Sequence, residues 1–442
     1  MTTSALVDLY DPDTYLAGPP HEAFAALRRA SPVHWQEVPT GPAAPGYWAV
    51  LGYAEVEHVL CAPELFSSEE GGVVLDDLPP DRLAQMRGML LAMDPPRHRD
   101  YRRPLAHRFT HRAVAMLEGR VRDASRVIMR EAAERGRSGG EVEFVSEVAG
   151  QLPTRVVGEL MGLPREDWDY VHRLAEALNR GQDAGDADRA GVEGGEGDKG
   201  GMDGVGPSRG GPGGSEPGGG GAEGAAAPTV EMAMYAAGFA ARRRAQPPRD
   251  DLTGLLLAGD FGGRTMSDLD YGSFFVQLVT AGNDTTQTML SSGLLALLTH
   301  PDQLAGLRAD PSLAPGAVEE ILRWANPLHY FRRTAAADAG VGGVRMRAGD
   351  RLATYFTAAN RDETVFEDPD RFDIRRSPNR HLSFGKGEHF CLGAHLARLE
   401  GRVFLEELLS SFAKIELAGT PTRVRSNLNN GLKSLPVRLT PA

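Results

Sequence analysis

The 442-residue chain is sparing with sulfur: its only cysteines are Cys61 and Cys391. Two thiols cannot form a disulfide framework, so a cross-linked secreted scaffold is excluded and a reducing cytoplasm is expected. Positive charge is also short, with 48 Lys and Arg against 60 Asp and Glu and a net charge of -12. A general nucleic-acid binder needs a basic footprint for phosphate, and this balance does not supply one. The N-terminal MTTSALVDLYDPDTYLAGPP lacks a basic segment followed by an apolar one, so no signal peptide is expected. The longest apolar run, YGSFFVQLVTAGNDTTQTMLSSGLLALL, carries Asn283, Asp284 and threonines at its middle. A bilayer core disfavours such groups, so the run is expected to be a long buried helix and no membrane span is expected.

What remains is ordinary globular material, with 41% hydrophobic and 24% charged residues. HEAFAALRRA, YAEVEHVLC and DPPRHRDYRRPLAHRFT have helical spacing or helix starts, and GYWAVLG and AGVGGVRMRAGDRLATYF read as short strands. The expected fold class is mainly α with a minor β part. Residues 182–228 interrupt the pattern with about twenty of the 53 glycines and no aromatic residue, too little apolar area to offset ordering entropy. This segment is expected to be a disordered surface insertion within one domain spanning residues 1–442.

Chemistry concentrates around Cys391, in FGKGEHFCLG (384–393). The bland reading is an inert buried thiol. A nucleophile would need a base, for which His389 and His395 are candidates, and a structural zinc would need more Cys or His ligands than lie nearby. Gly385, Gly387 and Gly393 weigh against inertness, because glycines permit unusual backbone angles and close approach of a flat group. A haem suits the loop better, since one axial thiolate suffices for iron and backbone N–H groups at a helix start temper its charge.

The loop resembles the cysteine-ligand loop of the cytochrome P-450 family, F-G-x-G-x-H/R-x-C-x-G, at Phe384, Gly385, Gly387, His389, Cys391 and Gly393. AGNDTT (281–286) resembles the family's A-G-x-D-T-T, with Ala281 and Gly282 beside the haem, room for dioxygen at Gly282, and Asp284 and Thr285 delivering protons. The bland alternative there is a polar patch whose threonines bend the helix. EEILR resembles E-x-x-R, which implies a structural network of Glu320, Arg323 and Arg371. His98, Arg102, Arg333 and His389 match the usual partners of the haem propionates. The resemblance extends over nearly the whole chain, with stretches that look like actinobacterial members; the glycine-rich insertion falls between the family's F and G helices.

The resemblance implies the cytochrome P-450 fold, one large helical domain with small β-sheets, and haem b held by Cys391. It implies a monomeric haem-thiolate monooxygenase that uses dioxygen to hydroxylate an apolar natural-product intermediate or lipid- or sterol-like compound. Electrons would come from a ferredoxin and its reductase, docking on a patch that includes Arg103, Arg108, Arg112 and Lys386. Pocket walls are expected from residues 71–92, Phe274, Phe275, Gln277, Leu278, Ala281, His329, Tyr330 and Leu432. Coupling, nitrene transfer or rearrangement on the same scaffold is the rival enzyme reading, and a non-catalytic haem ligand sensor is the rival from another class.

Overall fold

The computed structural model describes residues 7–137, 140–180 and 223–442. Its helices bury one large apolar cluster, and two smaller clusters gather around the sheet. The helices that position the site, labelled in chain order, are α1 (Arg97–Ala106), α2 (Glu118–Arg137), α3 (Gln151–Leu160), α4 (Trp168–Arg180), α5 (Glu223–Arg244), α6 (Asp268–Thr299), α7 (Ala314–Trp324) and α8 (Ala394–Ser411).

α6 is the axis. A capping box starts it: Ser267 accepts from the Asp270 N–H while the Asp270 carboxylate accepts from the Ser267 N–H. It runs 32 residues, about 48 Å at the usual rise, and ends at His300 before Pro301 begins the next helix. α3, α5 and α8 pack against it, so its polar middle is covered by protein rather than lipid. Among the described residues, no helix is long and apolar enough to cross a membrane.

The main sheet has five strands in the order Val33–Glu37, Gly46–Val50, Arg351–Tyr355, Tyr330–Ala335, Phe66–Ser67. All pairs are antiparallel except Gly46–Val50 with Arg351–Tyr355. Alternation along Tyr330–Ala335 places neighbouring Arg332 and Arg333 on opposite faces. Arg332 donates to the carbonyls of Leu75 at 3.1 Å and Val74 at 3.4 Å, and pairs with Asp77, pinning that segment.

Most of the glycine-rich segment expected at 182–228 lies outside the described residues. Its last residues do not, and they correct the boundary: 223–228 already belong to α5, with Pro228 inside the helix. The helices on either side, α4 and α5, pack on each other and on α6. One packing unit therefore contains both flanks.

Candidate functional site

The Cys391 loop is built by its backbone. Gly385 and Gly387 both adopt φ +67°, where a side chain is strained, and a Cβ on Gly387 would stand 2.6 Å from the Leu60 carbonyl oxygen. Gly393 has no such need, with nothing within 4 Å of the position a Cβ would take. The Cys391 N–H donates to the Phe384 carbonyl at 2.8 Å, closing the loop just before α8 begins. The Phe384 ring is buried under the Arg398 guanidinium, 4.5 Å from its centroid.

Cys391 keeps accessible surface although protein atoms crowd it, as at the floor of a cleft. That crowding pushes its thiol pKa up, while the Gly393 N–H and the cations Arg102 and Arg398 oppose the rise. Arg102 also donates to the Phe390 carbonyl at 2.6 Å, which ties α1 to the loop.

Beside the loop lies a group of cationic and imidazole side chains with little anionic compensation. Arg333 is 3% exposed and forms no carboxylate ion pair among the described residues; burial lowers its pKa to about 10. The His98 and His389 rings pack at a tilt of 43°, with centroids 4.3 Å apart. Burial, with neighbouring cations, pushes His98 down to about 4 and His389 down to about 2. The buried Nδ1 of His98 has no hydrogen-bond partner, and the nearest carboxylate oxygen, from Glu388, is 3.9 Å away. A buried cation and an orphaned imidazole nitrogen want an anion, and propionates would satisfy them. The donor set fits a haem.

On α6 the polar residues divide. Ala281 is exposed although it sits midway along a helix packed on several sides, and Leu278 and Thr285 share its face at helical spacing with partial exposure. The Thr285 hydroxyl donates back to the Ala281 carbonyl at 2.7 Å. Asp284 faces elsewhere: its Oδ2 accepts from Asn429 Nδ2 at 2.5 Å, and burial raises its pKa to about 7. Gly282 corrects an expectation. A Cβ there would meet Val157 Cγ2 of α3 at 3.1 Å, so its small size serves helix packing, and the open position is Ala281.

A second correction concerns the network on α7. Arg323 reaches Glu320 through Nε and Nη2, each at 2.8 Å, and both side chains are fully buried. The third arginine is Arg376, whose Nε lies 3.2 Å from Glu320 and whose side chain is 10% exposed. Arg371 offers only its carbonyl to Arg323 at 3.0 Å, while its own side chain is 63% exposed.

Expected pocket walls also divide. Phe274 stacks on Tyr101, Phe275 packs between Tyr235 and Tyr271, Tyr330 lies against Tyr355, and Leu432 joins the helical core. His329 is buried with Nδ1 3.0 Å from Thr357 Oγ1. These five are sealed into the interior rather than left as open walls. Gln277 is engaged, its Oε1 accepting from the Leu90 N–H at 2.6 Å. Leu83, Met86, Met89 and Leu278 keep apolar accessible surface. Two residues went unread in the sequence: Asn429, and Glu400 on α8, a buried acid bonded to Thr286 and raised to about 8 by burial. An asparagine in a loop and a glutamate among helix charges carry no local signal.

A cytochrome P450 family model matches residues 308–428. A methyl-branched lipid omega-hydroxylase of Mycobacterium bovis is 35% identical, covering 94% of this chain and 90% of its own. A steroid C26-monooxygenase of Mycolicibacterium smegmatis is 33% identical, covering 98% of this chain and 94% of its own. A Mycobacterium marinum cytochrome P450 solved in complex with pseudoionone has a similar fold, with TM-score 0.83, 34% identity and 98% of each chain covered.

Proposed function

The chain belongs to the cytochrome P450 family, and we propose that it hydroxylates a lipid- or sterol-like apolar molecule. Membership makes it an oxygen-incorporating oxidoreductase with a thiolate-ligated haem iron, dioxygen and an apolar substrate. The observation that carries the substrate class is similarity, over nearly the full chain, to hydroxylases of branched lipids and steroids. The open apolar surface of Leu278, Ala281, Met86 and Met89 agrees with it.

Haem b, when bound, supplies reduction and splitting of dioxygen and insertion of one oxygen atom into a C–H bond. Cys391 would hold its iron, with the Gly393 N–H and Arg102 tempering the thiolate charge. Arg333, His98, His389 and Arg102 would hold the propionates. Asp284, poised near neutrality and oriented by Asn429, holds a proton for delivery, and Thr285 presents its hydroxyl on the open face of α6. Electrons come from a ferredoxin and its reductase in the cytoplasm. Coupling, nitrene transfer and ligand sensing have no separate observation in their favour.

Reduced protein exposed to carbon monoxide is expected to show the absorption band of thiolate-ligated haem, and Cys391→Ser to lose it. An unchanged band in that variant overturns the ligand assignment. Methyl-branched fatty acids and sterols should shift the haem spectrum at micromolar concentration and yield hydroxylated product with a ferredoxin pair. Binding of neither class, in protein that shows the carbon monoxide band, overturns the substrate class alone.

A further inference from the structure

Two adjacent glutamates of α7 face different neighbours. Glu320 turns inward to Arg323 and Arg376, while Glu319, about 100° round the helix, meets Arg398 of α8. Arg398 grips both oxygens of that carboxylate, Nε on Oε1 at 2.7 Å and Nη2 on Oε2 at 3.0 Å. A two-pronged pair of this kind fixes the plane of the guanidinium as well as its position. His381, in the segment leading into the cysteine loop, adds a third contact, its Nε2 3.1 Å from Glu319 Oε2. The Ser383 N–H donates to His381 Nδ1 at 3.3 Å, so Nε2 carries the ring proton and donates to Glu319.

What Arg398 and His381 share is Phe384. The guanidinium lies 4.5 Å from the ring centroid, and the imidazole packs on the same ring with centroids 5.7 Å apart. The Phe384 carbonyl in turn accepts the Cys391 N–H at 2.8 Å. Glu319 therefore reaches the thiol through two side chains and one backbone hydrogen bond. Charge follows the same path. Arg102 and Arg398 are the two cations that oppose the rise in the Cys391 pKa caused by burial. Arg102 is anchored on the Phe390 carbonyl and, among the described residues, has no carboxylate ion pair. Arg398 is compensated. Burial pushes the Glu319 carboxyl up, but donation from His381 and Arg398 outweighs it and holds the pKa at about 2, so the compensating charge persists.

We propose that Glu319 is a positioning residue for the haem thiolate: it locks Arg398 and His381 against Phe384, offsets the Arg398 charge, and thereby sets the reduction potential of the iron. A cation beside the thiolate favours the reduced iron, which carries one positive charge less. An unpaired Arg398 would therefore raise the potential, and an unpaired Glu319 would lower it. Glu319 is 27% and Arg398 33% exposed, so solvent screens part of each charge. The expected effect on the reduction equilibrium is severalfold rather than orders of magnitude. This role rests on the reading of Cys391 as the iron ligand.

The test uses haem-loaded protein with two readouts, the midpoint potential and the iron–sulfur stretching frequency of the oxidised protein by resonance Raman. Glu319→Gln keeps an acceptor for Arg398 but loses the charge, and is expected to raise the potential and lower the stretching frequency. Arg398→Gln is expected to do the reverse, favouring the oxidised iron severalfold. With Glu319→Gln and Arg398→Gln combined, the pair is removed without a change in net charge, and the potential should return towards the parent value. A brace that acts through packing alone would behave differently: both single variants would shift the same way, and the double variant would add to them. That pattern overturns the role of Glu319. So do single variants that keep the carbon monoxide band and match the parent in both readouts. If the parent itself lacks the band of thiolate-ligated haem, the ligand reading fails and this role with it.

Discussion

At the residue scale, the site is governed by groups whose burial conflicts with their charge. Glu400 is 3% exposed and raised to about 8, against an ordinary value of 4.5. Its folded pKa lies above its unfolded one, so folding takes up a proton between those values. Stability is therefore full below pH 4.5 and declines as pH rises through about 8. Glu400→Gln, which still accepts from Thr286, should melt like the parent at pH 5 and higher at pH 9, by on the order of 2–4 kcal/mol. A gap independent of pH would show that Glu400 does not titrate in this window. Arg333 represents the opposite case, a buried cation whose compensation the fold leaves to an anionic partner.

At the element scale, the Glu320–Arg323–Arg376 cluster joins α7 to the segment before the cysteine loop. Arg323 donates to the carbonyls of Asn360, Pro369 and Arg371, and Glu320 also accepts from the Asp373 N–H. Removing one member strands buried charge, which costs more than the intact cluster contributes. Arg376→Ala should destabilise by about 3 kcal/mol in denaturant titrations and loosen haem retention, whereas Arg371→Ala should cost about 0.5 kcal/mol or less. Equal losses in the two variants would contradict the assignment of Arg376.

At the scale of the whole molecule, a net charge of -12 coexists with a basic run, RHRDYRRPLAHRFTHR. The fold neutralises part of that run, where Arg99 pairs with Glu388 and Arg108 with Asp250, and separately pairs Lys386 of the cysteine loop with Glu57. Arg103 and Arg112 are exposed and, among the described residues, form no ion pair, so of the proposed docking patch they are the members whose charge stays uncompensated. Long-range steering of an acidic ferredoxin needs such uncompensated charge. Reversing Arg103 and Arg112 to Glu should slow ferredoxin-driven reduction severalfold at low salt and flatten its salt dependence, with substrate affinity unchanged. Reversing Arg108 should do less, since its charge is already offset. An unaltered salt profile in the double reversal would place the docking site elsewhere.

Much of this was legible in contiguous residues. The cysteine loop is set by local backbone demands, Gly385 and Gly387 at positive φ and a cysteine before a helix start, so a short motif specifies it. Helices His21–Ala30 and Tyr53–Cys61 follow from apolar spacing alone. The face that Gly282 presents, the choice of Arg376 over Arg371, and the sealing of Phe274, Phe275, His329, Tyr330 and Leu432 into the core were decided only in three dimensions. So was the contact between Asp284 and Asn429, 145 residues apart. The physical reason is that backbone geometry and helix periodicity are properties of neighbours along the chain. Which side of a helix is covered, and which charge meets which, depends on the summed packing of elements that no single stretch of sequence contains.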